Sequence, residues 1–154
     1  MDFDALKRWA HAPWHCWLKE EKQWLEIFAE LWSRLPAPVF ETLIGRTRPL
    51  IVLPPVQQSR IVRITESLPV GAHILQLDTQ LLQRPRPETL GILAHELAHI
   101  YIAATGDMIS VEDLTNDLKA DSLARQWGFE AELTQALCSD FDSAHPRRVL
   151  AKAA

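Results

Sequence analysis

The sequence predicts an α+β fold, because two kinds of hydrophobic periodicity occur in one chain of 154 residues. Apolar and polar residues alternate over 59–66, which is typical of a strand with one buried face. Helical spacing of apolar residues instead dominates 17–35, and the long segment 88–105, which is apolar nearly all round, is typical of a buried helix. The hydrophobic content of 47% and the charged content of 23% are ordinary for a globular protein. A chain of this length is expected to form a single domain, 1–154, with its own core.

The N-terminal segment, 1–38, is predicted to be helical and rich in tryptophan, with a break near Pro13. Five of the six Trp residues lie within the first 32 positions. Their spacing favours a buried apolar face, and the alternative is an exposed aromatic surface that binds a partner. His11 and His15 are four residues apart, but Pro13 disrupts a regular helical pair, so neither is predicted to be a metal ligand.

The middle of the chain is predicted to form a short helix and a small, mostly antiparallel sheet. The predicted elements are a helix over 39–46, a strand over 49–53 that Pro54 stops, and an antiparallel pair formed by 59–66 and 72–78. After the apolar helix, which Gly106 ends, two more helices are predicted. They cover 111–127, with Gly128 as a C-terminal cap, and 130–137.

The most informative segment is His95-Glu96-Leu97-Ala98-His99, which has the pattern H-E-x-x-H. On a helix, His95 and His99 lie one turn apart on the same face and can offer two imidazole nitrogens to one zinc ion. Glu96 lies beside them, where it could take a proton from water at the metal. The surrounding residues are apolar nearly all round, so the helix is predicted to be buried, and its polar groups need partners. The alternative is two core histidines satisfied by carbonyls, with Glu96 in a salt bridge.

A catalytic zinc ion usually has three protein ligands, so a third is expected elsewhere in the chain. At 100° per residue, Asp117 and Asp121 both fall within the apolar stripe of the helix predicted over 111–127. Charges on a buried face are rarely left unpaired. Asp117 is therefore predicted to be the third ligand, and Asp121 to accept the second N–H of a ligand histidine. Weaker candidates for the third ligand are Asp113 and His145. The acids could instead face water or pair with Arg63, Lys119 or Arg125.

The two motifs together resemble those of a known family. The H-E-x-x-H motif, followed by Asp-Leu-Lys-Ala-Asp over 117–121, is similar to the H-E-x-x-H…E-x-x-A-D pattern of gluzincin-type zinc metallopeptidases. These include bacterial and phage proteases of the ImmA/IrrE type and minimal single-domain zincins. The resemblance covers 60–130 and departs from the family at Asp117, where the family has Glu. It implies a zincin-like core in which the sheet packs on the motif helix and the following helix bears the third ligand.

The resemblance also implies a role for each site residue. Zn²⁺ would be bound by His95, His99 and Asp117. Glu96 would act as general base and then as general acid, and Asp121 would orient a histidine. The strand 72–78 would lie beside the cleft and pair with an extended peptide or protein substrate. The implied function is a zinc-dependent peptidase, and a regulatory protease that cuts one repressor or antitoxin is one form of it.

Composition argues against several classes of partner. The net charge of −4 disfavours a nucleic-acid-binding surface and counts against DNA–protein crosslink proteases of the SprT type. The start lacks a signal-peptide pattern and no apolar run is long enough to span a membrane, so a cytoplasmic location is expected. The alternative function is a non-catalytic zinc-binding or protein-interaction module. Its closed site would need a fourth protein ligand, such as His73 or His145.

Overall fold

The computed structural model of the chain describes residues 3–44, 49–56, 72–106 and 114–139. The chain divides into two compact units, of which the first ends at Gln83 and the second begins at Arg84. The described residues are mostly helical and include one two-stranded sheet, so the α+β class is confirmed in this broad sense. The organisation as a single domain, with a zincin core over 60–130, stays a prediction.

The first unit begins with three helices and an intervening 3-10 turn. They are α1 (Phe3–Ala10), the 3-10 turn Pro13–Lys19, α2 (Lys22–Arg34) and α3 (Ala37–Ile44). The predicted break near Pro13 is confirmed, because proline lacks the N–H that would continue the helix. Regular α-helix resumes at Lys22 rather than at Trp17, since the 3-10 turn occupies the residues between.

The core of the first unit is aromatic. Trp24 and Trp32 are fully buried, and Trp9 is only 5% exposed. Trp9 meets the edge of Trp32 at a ring-centroid distance of 5.1 Å, and Phe28 stacks on Trp32 at 6.2 Å. Edge-to-face and offset contacts of this kind add to the large apolar area that each ring buries. The buried alternative is thus confirmed for these three tryptophans, while Trp14 and Trp17 are half-buried.

The sheet consists of β1 (Leu50–Val56) and β2 (His73–Asp78), which run parallel. The prediction of a mostly antiparallel sheet is not supported by the described residues, and the predicted partner strand 59–66 lies outside them. Alternation reports that one face of a strand is buried, but it carries no information about the direction of the partner strand. Parallel strands need a long crossover, and the 16 residues over 57–72 between these strands are enough for one.

Two prolines lie inside β1 instead of ending it. The strand was expected to stop at Pro54, but it continues to Val56, with an irregular register after Leu53. Proline has no N–H to donate to a ladder, so it is tolerated at a bulge or at a sheet edge. Pro54 still uses its carbonyl oxygen, which accepts a hydrogen bond of 2.6 Å from the side-chain amide of Gln76.

The two edges of β1 have different partners. The His73 N–H donates to the Pro49 carbonyl oxygen at 3.2 Å, so the backbone groups of the odd-numbered residues face β2. Successive residues of a strand point their N–H and C=O groups to opposite edges. Leu50 and Val52 therefore direct theirs to the outer edge, away from β2.

Side chains of the N-terminal segment occupy this outer edge. The Trp9 indole N–H donates to the Leu50 carbonyl oxygen at 2.9 Å, and the Trp17 indole N–H donates to that of Val52 at 3.1 Å. The Val52 N–H donates to His15 Nε2 at 3.0 Å. Because buried backbone groups must be paired, these three side chains replace the hydrogen bonds that a third strand would have provided.

The second unit contains three helices. They are α4 (Arg86–Thr105), α5 (Leu114–Ala124) and α6 (Glu130–Cys138), with a π-helical turn, Arg125–Phe129, between the last two. Gly106 ends α4 at a φ of 81°, and Gly128 has a φ of 88° in the turn, as the predicted capping positions require. Helix α4 packs against both α5 and α6, which accounts for its apolar residues on all sides.

Gly91 lies where α4 and α6 touch through their backbones. A Cβ atom at this position would lie 2.5 Å from the carbonyl carbon and oxygen of Glu132 and 2.7 Å from the backbone nitrogen of Leu133. Only glycine fits such an approach. Gly91 precedes His95 by about one helical turn, so this contact fixes the helix that carries the H-E-x-x-H motif.

Two further observations concern membrane-spanning helices and the cysteines. No helix among the described residues combines the length and apolar character needed to cross a lipid bilayer. Cys16 and Cys138 are both exposed free thiols.

Candidate metal centre

The two histidines of the motif face each other on α4. The Nε2 atoms of His95 and His99 are 2.9 Å apart, and the two rings are nearly perpendicular. This proximity follows from their spacing, because residues four apart lie on the same face of a helix. The His95 side chain is 2% exposed and that of His99 is 27% exposed, so the pair extends from the core of the second unit towards its surface.

Asp117, on α5, completes a group of three. Its Oδ1 atom lies 3.1 Å from His99 Nε2. One ligand atom from each of His95, His99 and Asp117 lies within 4.8 Å of the other two. The structure therefore brings together the three residues that the sequence predicts as metal ligands, and this group could hold a metal ion.

Asp121 contacts the other side of His95. The Nδ1–H group of His95 donates to Asp121 Oδ1 at 2.6 Å. A carboxylate can only accept here, so this bond assigns the proton to Nδ1 and leaves a lone pair on Nε2. Asp117 and Asp121 are four residues apart on α5, just as the two histidines are on α4. A pair of acids on one helix thus faces a pair of histidines on the other.

The buried face of α5 explains how both acids reach the histidines. Asn116, Ala120 and Ala124 are buried and form one row along the helix. Asp117 and Asp121 form the adjacent row and are half-buried. Leu118, on the opposite face of the helix, is 52% exposed. The imidazole groups of His95 and His99 provide polar partners for these two acids.

Glu96 is half-buried and follows His95 directly on α4. On a helix of 3.6 residues per turn, it lies about 60° beyond His99 around the axis. It is therefore next to the three-residue group without belonging to it. This is the arrangement that the H-E-x-x-H pattern predicts for a general base.

The atoms that converge suit a cation. His95 Nε2 presents a lone pair, Asp117 presents a carboxylate oxygen, and His99 Nε2 faces both. A single proton on His99 can satisfy these acceptors only in part, whereas a metal ion accepts an electron pair from every ligand. Zinc–ligand distances near 2.1 Å in a tetrahedron would place ligand atoms about 3.4 Å apart. The distances of 2.9 and 3.1 Å are within a few tenths of an ångström of this separation, and the atoms of the third pair, His95 and Asp117, lie within 4.8 Å of each other.

The donor set is typical of an open site. Two imidazoles and one carboxylate would leave a coordination position for water or substrate on a four-coordinate ion, as in catalytic zinc sites. In the part of the chain that the structure describes, the group has three members. Of the weaker candidates, Asp113 and His145 lie outside the described residues, and His73 lies on β2 in the first unit.

No protein-family model, curated protein or solved structure shows significant similarity to this chain.

His15 is a buried polar residue whose role the sequence did not indicate. It is fully buried, with its Nδ1–H donating to the Trp9 carbonyl oxygen at 2.7 Å and its Nε2 accepting from Val52. No sequence motif signalled this role, because His15 is far from the H-E-x-x-H motif and Pro13 prevents it from forming a regular helical pair with His11. Its position between Trp14 and Trp17 was the one available sign of burial.

The Asp121→Asn variant tests the contact with His95. We expect metal affinity to fall about 10- to 100-fold, because loss of a carboxylate partner makes a ligand histidine less basic and less firmly oriented. Affinity is measured by competition with a chromogenic chelator. Ser122→Ala, at an exposed neighbouring position on α5, should bind metal as the wild type does. Equal affinities for Asp121→Asn and wild type would show that the carboxylate has no such role.

Proposed function

We propose that this protein is a zinc-dependent peptidase. The observation that carries the proposal is the convergence of ligand atoms from His95, His99 and Asp117, with Glu96 next to them on the same helix. Two imidazoles and a carboxylate match the composition of known catalytic zinc sites, and a glutamate inside H-E-x-x-H is the usual proton acceptor.

In the proposed mechanism, the metal ion and the side chains have different roles. A bound zinc ion would act as a Lewis acid that activates water and polarises the carbonyl group of the substrate. Glu96 takes the proton from the attacking water and passes it to the leaving amine, which has to be protonated before it departs. His95 is held in one orientation by Asp121, so its Nε2 lone pair stays directed towards His99 and Asp117.

The proposed substrate is a peptide or a protein. The side chains of His99 and Asp117 are only half-buried, so the site is accessible from solvent. A polypeptide substrate requires such access. The resemblance to ImmA/IrrE-type zincins favours a specific regulatory protease over a general digestive one. Such an enzyme would act on one partner in the cytoplasm and cut only peptides that carry the sequence it recognises there.

Metal analysis combined with a hydrolysis assay tests this proposal. We expect about one zinc ion per chain, lost in both His99→Ala and Asp117→Ala, because each removes one of three ligands. The zinc-loaded wild type should cleave members of a random-peptide library, with products identified by mass spectrometry. Chelation should abolish cleavage and added zinc should restore it.

Each other outcome has a definite meaning. Failure to retain any metal after reconstitution would overturn the site and the function together. The two-histidine, one-carboxylate set also suits Fe²⁺, so iron in place of zinc would redirect the proposal to oxygen chemistry. Stoichiometric zinc without cleavage of the library or of proteins from the same cell would favour the non-catalytic module. Loss of zinc in His99→Ala alone would move the third ligand away from Asp117.

A further inference from the structure

The 3-10 turn of the first unit is attached to β1 through a histidine that fits only as a neutral ring. His15 donates to the Trp9 carbonyl oxygen at 2.7 Å, and the Val52 N–H donates to it at 3.0 Å. A carbonyl oxygen can only accept and a backbone N–H can only donate. These two partners therefore fix the Nδ1–H tautomer, with a lone pair on Nε2.

Protonation of His15 is incompatible with this pair of contacts. The imidazolium ion carries N–H groups on both nitrogens and accepts nothing. Its Nε2–H would point at the Val52 N–H, so this hydrogen bond would be lost and two donors would oppose each other. The ring is fully buried, so the cation would also be without water. Burying an unpaired charge is unfavourable, and movement of the segment into solvent removes this penalty.

We propose that His15 is an acid-released latch, whose protonation detaches the 3-10 turn Pro13–Lys19 from the outer edge of β1. The same turn carries Trp17, whose indole N–H covers the Val52 carbonyl oxygen. Release of the turn therefore frees both backbone groups of Val52 at once. The outer edge of β1, which is completely buried at Leu50 and Val52, becomes accessible in the released state.

The proposed pH response is assigned to the His15 ring itself, because the charged side chains on the elements packed around it lie at the surface. The strand β1 carries no titratable side chain. On α1, Asp4, Lys7 and Arg8 are exposed, and on the turn itself Cys16 and Lys19 are exposed. The charged side chains of α2 form surface ion pairs, namely Lys22–Glu26 at 3.7 Å and Glu30–Arg34 at 3.8 Å. The rings that contact His15 directly are those of Trp9 and Trp14, which do not titrate.

The energetics give the pH range of the release. Burial lowers the pKa of His15 from 6.5 to about 4, and the bond to the Trp9 carbonyl offsets this only in part. The open state, with an ordinary pKa, binds a proton more readily than the latched state. The latched state is therefore fully favoured above pH 6.5 and loses stability as the pH falls from 6.5 towards 4. Between pH 7.5 and 4.5 the opening equilibrium is expected to rise roughly 70-fold.

Amide hydrogen exchange of the full-length chain, followed by NMR, tests the latch. After correction for the intrinsic rate, exchange of the Val52 N–H should accelerate roughly 70-fold between pH 7.5 and 4.5 in the wild type. In His15→Gln the side-chain amide can still accept from Val52 but does not titrate, so the acceleration should disappear. His11→Gln, at an exposed histidine of the same region, should respond as the wild type does.

Two controls keep the result decisive. His99→Ala removes a ligand of the candidate metal centre and should leave the Val52 response intact, which separates the latch from the proposed peptidase activity. If His15→Gln does not fold, the histidine ring resonances of the wild type decide, because opening must follow the titration of His15. Constant Val52 protection while His15 titrates, or equal acid opening in wild type and a folded His15→Gln variant, would overturn the proposal.

Discussion

Replacement of Glu96 by Gln is expected to reduce peptide hydrolysis by at least a hundredfold and up to about ten-thousandfold, the range that general acid–base catalysis contributes. Glutamine has nearly the shape of glutamate, but its amide does not take up a proton at neutral pH. Because Glu96 is adjacent to the group formed by His95, His99 and Asp117 and is not part of it, the variant should keep its metal. The measurement is kcat/KM on a peptide selected from the library, with metal content determined on the same sample.

The combination of lost turnover and retained metal is what identifies a base. Glu130→Gln is the matched control, because Glu130 is an exposed glutamate of the same unit, 3.6 Å from the guanidinium group of Arg125. It should keep wild-type kcat/KM and metal content. Full activity in Glu96→Gln would rule out the proposed mechanism. Loss of both activity and metal would instead make Glu96 a structural support of the site.

Replacement of Gly91 by Ala is expected to lower the free energy of unfolding by about 2 kcal/mol or more, the range found for overpacked interiors. The added methyl group would lie 2.5 Å from the backbone of Glu132, which cannot turn aside as a side chain would. Helices α4 and α6 must therefore separate. The clash outweighs the roughly 1 kcal/mol by which alanine is normally better than glycine inside a helix. Thermal or urea unfolding, followed by circular dichroism, measures the change.

A second glycine-to-alanine substitution, at the end of the same helix, separates the effect of a steric clash on stability from the effect of backbone strain. Gly106 has open space around its Cβ position but a φ of +81°, so Gly106→Ala should cost about 1 kcal/mol through backbone strain alone. At position 91 the destabilisation should grow from Ala to Val, as the side chain becomes larger. If the Gly91→Ala variant unfolds at or above the wild-type midpoint, α6 can move away from position 91 without lowering the free energy of unfolding.

The local parts of this structure could be predicted from the sequence. The spacing of four residues that joins His95 to His99 also joins Asp117 to Asp121, and helical geometry alone puts each pair on one face. The ends of the helices followed from Gly106 and Gly128, where only residues that tolerate a positive φ fit well. These inferences succeed because each depends on a few neighbouring residues.

The long-range parts could not be predicted in the same way. The alternation in 72–78 indicated a strand, but the parallel pairing with β1 depends on where the chain between them runs. The role of His15 depends on its contact with Val52, which is 37 residues away in the sequence. No sequence pattern around either residue indicates that the two are in contact. The close approach at Gly91 likewise requires the position of α6, and a single glycine inside an apolar helix has several possible explanations.

The candidate metal centre is a short-range structure. The ligands and their supporting acid all lie between His95 and Asp121, in 27 consecutive residues, whereas the contacts that cover the outer edge of β1 join residues 35 to 41 positions apart. The entropy lost on closing a loop grows with its length, so the site can form as soon as α4 and α5 pair. A metal ion bound there would act as a cross-link between neighbouring helices and favour their pairing early in folding.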